Sequence, residues 1–205
     1  VLPALKSIFA RAEALDGTVH LALYELDDPE LVDLLARHQQ RLHIILSTAG
    51  SKTTKAGTAR SSAGSAGKAR NTVVWDVTNS ESRARLSALM GERLQNRMFN
   101  NSSHIGHNKF AVLLDRHGKP TAVWTGSTNW TPTGLCAQTN NTVTIESDAL
   151  ARIYFDYWTR LHGDKLPEPK PLGKPLGSDQ GPILRAANAQ PRPASLDHGR
   201  TQVEL

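Results

Sequence analysis

The chain has 205 residues, 39% apolar and 21% charged, with a formal charge of +5 and a pI near 9.6. That length accommodates one sizeable α/β domain, or one domain with a tail. No run of about 18 apolar residues occurs, so no transmembrane helix is indicated. The single cysteine, Cys136, rules out an internal disulfide and argues against a cysteine-based zinc site. The basic balance favours phosphate-bearing partners, nucleic acid or anionic lipid headgroups, although part of it lies in one loop. No basic-then-apolar leader opens the chain, which starts at Val1 rather than Met; a cytoplasmic location is only the default expectation.

Residues 2–15 have apolar positions at near-helical spacing, and 17–26 (GTVHLALYEL) read as a strand. Asp28 is then a good N-cap, Pro29 suits the first helical position, and Leu31, Leu34 and Leu35 mark one helix face. LHIILST (42–48) is a second strand, so the first fifty residues form a βαβ unit and imply a parallel sheet buried on both sides. The stretch 49–70 is rich in Gly, Ser, Ala and Thr, carries five Lys or Arg, and reads as a flexible solvated loop that could also touch a polyanion.

NTVVWDV (71–77) reads as a strand, and 80–95 as a helix with Ser80 as its cap. KFAVLLD and TAVWTGS are two strands joined through DRHGKP, where Gly118 supplies the turn. NNTVTIES (140–147) is a further strand, and 148–163 a strongly amphipathic helix ended by Gly163. From 166 the chain is Pro- and Gly-rich and reads as an extended linker. The closing TQVEL reads as the first half of a strand with nothing after it.

The chemistry is concentrated between 104 and 131. His107 and Lys109 are two residues apart on a strand and share a face; Ser127 and Asn129 have the same relation beyond the next strand. Joining those strand ends would gather an imidazole, an ammonium, a hydroxyl and an amide, a set suited to phosphate. Lys supplies charge, Ser and Asn supply hydrogen bonds, and His can attack phosphorus or move a proton near neutral pH. Gly126 lets a backbone approach closely. A zinc site on His104 and His107 fails because an i, i+3 pair on an extended strand faces opposite sides. GSTN is not the G-x-S-x-G of a serine nucleophile.

HNKFAVLLD followed by GSTNWT resembles the HKD signature of the phospholipase D superfamily: His-x-Lys, then Asp, then Gly-Ser-x-Asn. The preceding βαβ segment and the following TNNTVTI are similar to the flanks of that signature, so the resemblance covers about 1–165. It implies an α/β/α sandwich, with a mixed, mostly parallel sheet, helices on both faces and the site at strand ends. It implies phosphodiester hydrolysis or transfer through a phosphohistidine, with no metal or other cofactor. His107 would be the nucleophile or the partner general acid, and Lys109 would clamp the phosphate oxygens. Asp115 would complete the catalytic set, while Ser127, Asn129 and Asn141 would cradle the phosphate.

Two departures stand out. Five residues rather than four separate Lys109 from Asp115, which puts Asp115 on the same strand face as Lys109 unless a β-bulge intervenes. The family mechanism also uses two such motifs, and this sequence holds one. A second motif is expected downstream on a longer chain, in preference to a homodimer, with 166–205 as the link into that second half. The substrate, phospholipid or nucleic acid, stays open. Trp130 either stacks on a base or belongs to the core. A non-catalytic phosphate-binding module and a purely structural half-domain are the competing readings.

Overall fold

The apolar segments fold into a sheet covered on both faces. The structure is a computed structural model; it describes residues 1–55, 71–100, 105–166, 168, 181–196 and 201–204. The elements in order are α1 (Leu2–Ala14), β1 (Thr18–Leu23), α2 (Pro29–Arg37), β2 (Leu42–Ser47), β3 (Ser51–Lys55), β4 (Asn71–Trp75), α3 (Ser80–Met90) and β5 (Leu94–Arg97). They continue with β6 (Lys109–Leu114), β7 (Pro120–Gly126), α4 (Pro132–Cys136), β8 (Thr142–Ile145), α5 (Asp148–Gly163), α6 (Gly181–Asn188), β9 (Pro193–Leu196) and β10 (Thr201–Glu204).

Among the described residues the main sheet runs β5-β2-β1-β6-β7-β8. β1 pairs in parallel with β2, and β2 with β5, whereas β1–β6, β6–β7 and β7–β8 are antiparallel. The layers and the mixed sheet are those expected, but parallel pairing is confined to the β5-β2-β1 side. The reason is connection length: the few residues between β6 and β7 can close a hairpin but cannot return a chain to the start of a parallel strand. α1, α2 and α3 cover one face, where Leu5, Phe9, Leu35 and Leu86 meet Leu21, Ile44, Leu113 and Trp124. α5 covers the other, where Leu150 and Trp158 meet Ile45, Val112 and Val123. With each buried Leu or Ile contributing on the order of 1.5–3 kcal/mol, two such layers fix the sheet in place.

Asp28 caps α2 as expected, its Oδ1 accepting from the Leu31 N–H at 3.0 Å. Ser80 does not cap α3. Asn79 occupies the N-cap position, and its side chain bonds elsewhere: Oδ1 accepts from Leu26 N–H at 2.8 Å, and Nδ2 donates to the carbonyls of Tyr24 (2.7 Å) and Ser47 (2.8 Å). α3 stops at Met90 because Gly91 turns to φ 55°, and Leu94 and Gln95, expected at the end of the helix, open β5 instead.

The first part of the stretch read as a flexible loop is β3, paired antiparallel with β4; 56–70 lie outside the described residues. Of the linker expected from 166 on, residues 167, 169–180, 197–200 and 205 lie outside them too. Thr201–Glu204 of the closing TQVEL form β10, which pairs antiparallel with β9. Ala194 of β9 is buried in the α5-side core, with Leu184 and Leu196 packed against it.

Candidate active site

One edge of the sheet gathers the C-terminal ends of β1, β2 and β7 and the N-terminal ends of β6 and β8. The strand directions require this, since β6 and β8 run against β1 and β7. His107 enters β6 at this edge and is exposed, while Lys109 is 6% exposed. Gly106 fastens the entry: its N–H donates to Ser47 Oγ at 3.1 Å, and a Cβ there would meet that oxygen at 2.9 Å.

His107 and Lys109 converge on one ring. The His107 imidazole lies edge-on to Tyr24, with centroids 4.8 Å apart, and Lys109 Nζ stands 5.4 Å from the same centroid. Lys109 Nζ also donates to the His107 carbonyl at 3.4 Å. Burial lowers the Lys109 pKa from its ordinary value, and the Glu25 carboxylate opposes that shift. Burial raises the Glu25 pKa, whereas Lys109 and a hydrogen bond from Asn129 favour its charged form. Burial and the Lys109 charge together lower the His107 pKa, so the imidazole is neutral near pH 7.

Tyr24 and Glu25 escaped the sequence reading. Their signal was a Tyr-Glu pair closing an apolar strand. It acquires meaning only when β1 is paired antiparallel with β6, Leu23 opposite Lys109.

The phosphate-cradle candidates lie on the same edge with part of their bonding already engaged. Ser127 Oγ donates to Asn140 Oδ1 at 3.2 Å and accepts from the Asn141 N–H at 3.0 Å. The Asn141 carbonyl in turn accepts from the Ser127 N–H at 3.0 Å and from Thr128 Oγ1 at 3.3 Å. Gly126 is required here, because a Cβ would fall 2.1 Å from the Asn141 carbonyl oxygen. Asn129 donates to Glu25, and its Oδ1 is buried without a hydrogen-bond partner among the described residues. Trp130 is fully buried, edge-on to Trp124 at 5.7 Å, and its backbone bridges to Leu26; it belongs to the core and offers no stacking face.

Asp115 lies at the other end of β6. Its Oδ1 accepts from the N–H groups of His117 (2.8 Å) and Lys119 (3.0 Å), bonds that lower its pKa. A register irregularity does occur nearby, but Leu113 pairs with Ala122 and Leu114 with Pro120, so the extra residue is Thr121 of β7. β6 keeps its parity, and Asp115 is not brought to His107. His104 lies outside the described residues, and among those residues no group of three or more His, Cys, Asp or Glu could hold a metal ion.

A cavity of about 430 Å³ opens beside the pair, lined by His107, Lys109, Thr125, Gly126 and the inner side of α5.

A family model described as cardiolipin synthase, PLD-like domain, matches residues 6–161. The chain belongs to the phospholipase D-like family. That match runs from α1 into α5 and contains every candidate site residue. Solved structures of similar fold include Nuc of Salmonella typhimurium, a phospholipase D family member (18% identity, TM-score 0.46, 76% of this chain and 84% of that one). NucT of Helicobacter pylori (11% identity, TM-score 0.48) covers 77% of this chain and 86% of its own. Polyphosphate kinase of Porphyromonas gingivalis (16%, TM-score 0.45) covers 74% of this chain and 22% of its own. No curated protein matches the sequence. The phospholipase D-like family is one of phosphodiesterases, and among the described residues no helix is long and apolar enough to cross a membrane.

Proposed function

We propose that this chain cleaves a phosphodiester through a covalent phosphohistidine, without a metal. The observation that carries the reading is the convergence of an exposed His107 and a buried Lys109 on the Tyr24 ring, both residues lining one cavity.

The imidazole lone pair of His107 attacks phosphorus, forming N–P as the P–O bond to the leaving group breaks. A general acid protonates the departing oxygen. Water, or an alcohol in a transfer reaction, then attacks phosphorus with that same group as base, and N–P breaks. Lys109 offsets the charge on the phosphoryl oxygens, and its burial makes that charge count for more than it would in water. Glu25 keeps the ammonium protonated. The general acid is assigned to a second histidine, from a downstream half of a longer chain or from a second copy related by a twofold axis.

A second reading has one observation in its favour. Among the described residues that line the cavity, His107 is the one histidine, as it would be in a module that binds phosphate without turning it over.

The test is turnover of bis(p-nitrophenyl) phosphate in EDTA by the wild type and by His107→Ala, with the mass of the active species measured by light scattering. Turnover that the variant abolishes is the expected result, and a dimeric active species would assign the second histidine to another copy. No turnover from a monomer that still binds phosphate would favour the binding module. Turnover undiminished in His107→Ala would overturn the mechanism.

A further inference from the structure

The cavity beside His107 and Lys109 continues along α5 to two arginines that the reading above leaves unused, Arg160 near the end of α5 and Arg192 between α6 and β9. Arg192 lies outside the residues matched by the family model. Arg160 Nε donates to Asn188 Oδ1 at 2.9 Å, and its guanidinium carbon stands 5.8 Å from the Tyr157 ring centroid. Arg192 Nη2 donates to the Ala187 carbonyl at 3.3 Å, while its Nε is buried with no hydrogen-bond partner among the described residues.

The two positive charges bear on one another: burial, and then Arg192, lower the Arg160 pKa, and Asp156 and Tyr157 only partly oppose them. Neither guanidinium forms an ion pair among the described residues. Two arginines lining one cavity, without an ion pair among the described residues, fit an anion, and their planar forks suit phosphate. The wall between this pair and His107 is aromatic, with Phe110 5.3 Å from Tyr154 and 5.7 Å from Tyr157, centroid to centroid.

We propose that Arg160 and Arg192 form a second phosphate subsite, which takes the phosphate next to the scissile one in a single-stranded nucleic acid whose base lies against Tyr154. A strand presents phosphates at short regular intervals with a flat base between them, matching the order of His107, aromatic wall and arginine pair along the cavity. The assignment rests on the reading of His107 and Lys109 as the scissile-phosphate site, and it makes the neighbouring nucleotide a determinant of affinity.

The test is fluorescence anisotropy of a labelled oligothymidylate on a His107→Ala background, so that binding is read without cleavage. Arg160→Gln and Arg192→Gln are each expected to weaken binding about five- to tenfold and to lower the salt slope by about 0.7. Arg37→Gln removes the same charge from α2, on the opposite side of the sheet, and is expected to change binding less than twofold. Circular dichroism reports folding; should Arg160→Gln lose its fold, Arg192→Gln and the salt slope carry the decision.

Unchanged binding in the folded variants, or an equal loss in Arg37→Gln, would overturn the subsite. Arginine-dependent association with phosphatidylglycerol vesicles, without oligonucleotide binding, would overturn the nucleic-acid assignment. Arginine-dependent oligonucleotide binding supports the subsite whether or not the wild type turns over bis(p-nitrophenyl) phosphate, so the two readings fail separately.

Discussion

The two ends of β6 carry what the sequence presents as one motif, and the fold puts them to different uses. At the entry, His107 and Lys109 share the Tyr24 ring, and Lys109 is buried far enough for its pKa to fall. At the exit, half-buried Asp115 bonds two backbone N–H groups of the β6–β7 turn. A strand of six residues spans roughly 20 Å, so a carboxylate at its far end cannot reach a phosphate held at its start. Proximity in a motif is therefore not proximity in space; the polarity of the strand decides which end of the motif lies beside Tyr24.

Substitutions at the two ends put that contrast to the test. The largest effect is expected at His107, where alanine lowers turnover of bis(p-nitrophenyl) phosphate about 10³-fold or more by removing the attacking nitrogen. Lys109→Met should follow, with a loss of about 10²-fold in kcat as one preorganised charge is removed.

Glu25→Gln is expected to act through Lys109, lowering kcat/KM by roughly three- to tenfold. Its diagnostic readout is the pH profile. Glu25 raises the Lys109 pKa, so its removal lets that pKa fall further, and loss of the Lys109 charge sets in at lower pH, on the alkaline side of the limb set by the general-acid histidine. The acid limb belongs to His107. Its lowered pKa places the loss of the neutral imidazole below 6.5, so activity should persist as pH falls to that value and decline beneath it. An acid limb above 6.5 would show that another group controls the reaction.

The smallest effect on chemistry is expected at the other end. Asp115→Asn should lower the thermal midpoint by a few degrees at most and leave kcat within about twofold of the wild type, since the bonds it weakens close a turn. A large fall in kcat with an unchanged midpoint would erase the distinction between the two ends.

Much of the frame was legible because local rules and tertiary packing agree. Asp28 and Pro29 announced α2, Gly118 announced the hairpin with φ 74°, and apolar runs of strand length became β1, β2 and β6. Ser80 was misread because a capping residue and a buried linker look alike in a sequence. Asn79 bonds the ends of β1 and β2 together, and only their adjacency gives it that task. Leu94 and Gln95 read as the end of a helix because Leu94 to Arg97 has no strong strand signature, and an edge position beside β2 supplies the pairing these residues do not advertise.

The sequence by itself determined the alternation of strands and helices, the chemical set His107, Lys109, Ser127 and Asn129, and the close approach at Gly126. Each depends on spacing along one segment or on the size of one side chain. The tertiary structure alone decided that Tyr24 and Glu25 join that set and that Asp115 and Trp130 leave it. It also turned Arg160 and Arg192 toward the same cavity. Those outcomes depend on which strands run antiparallel and which helix covers which face, and burial of apolar surface on both sides of the sheet sets both across the whole chain.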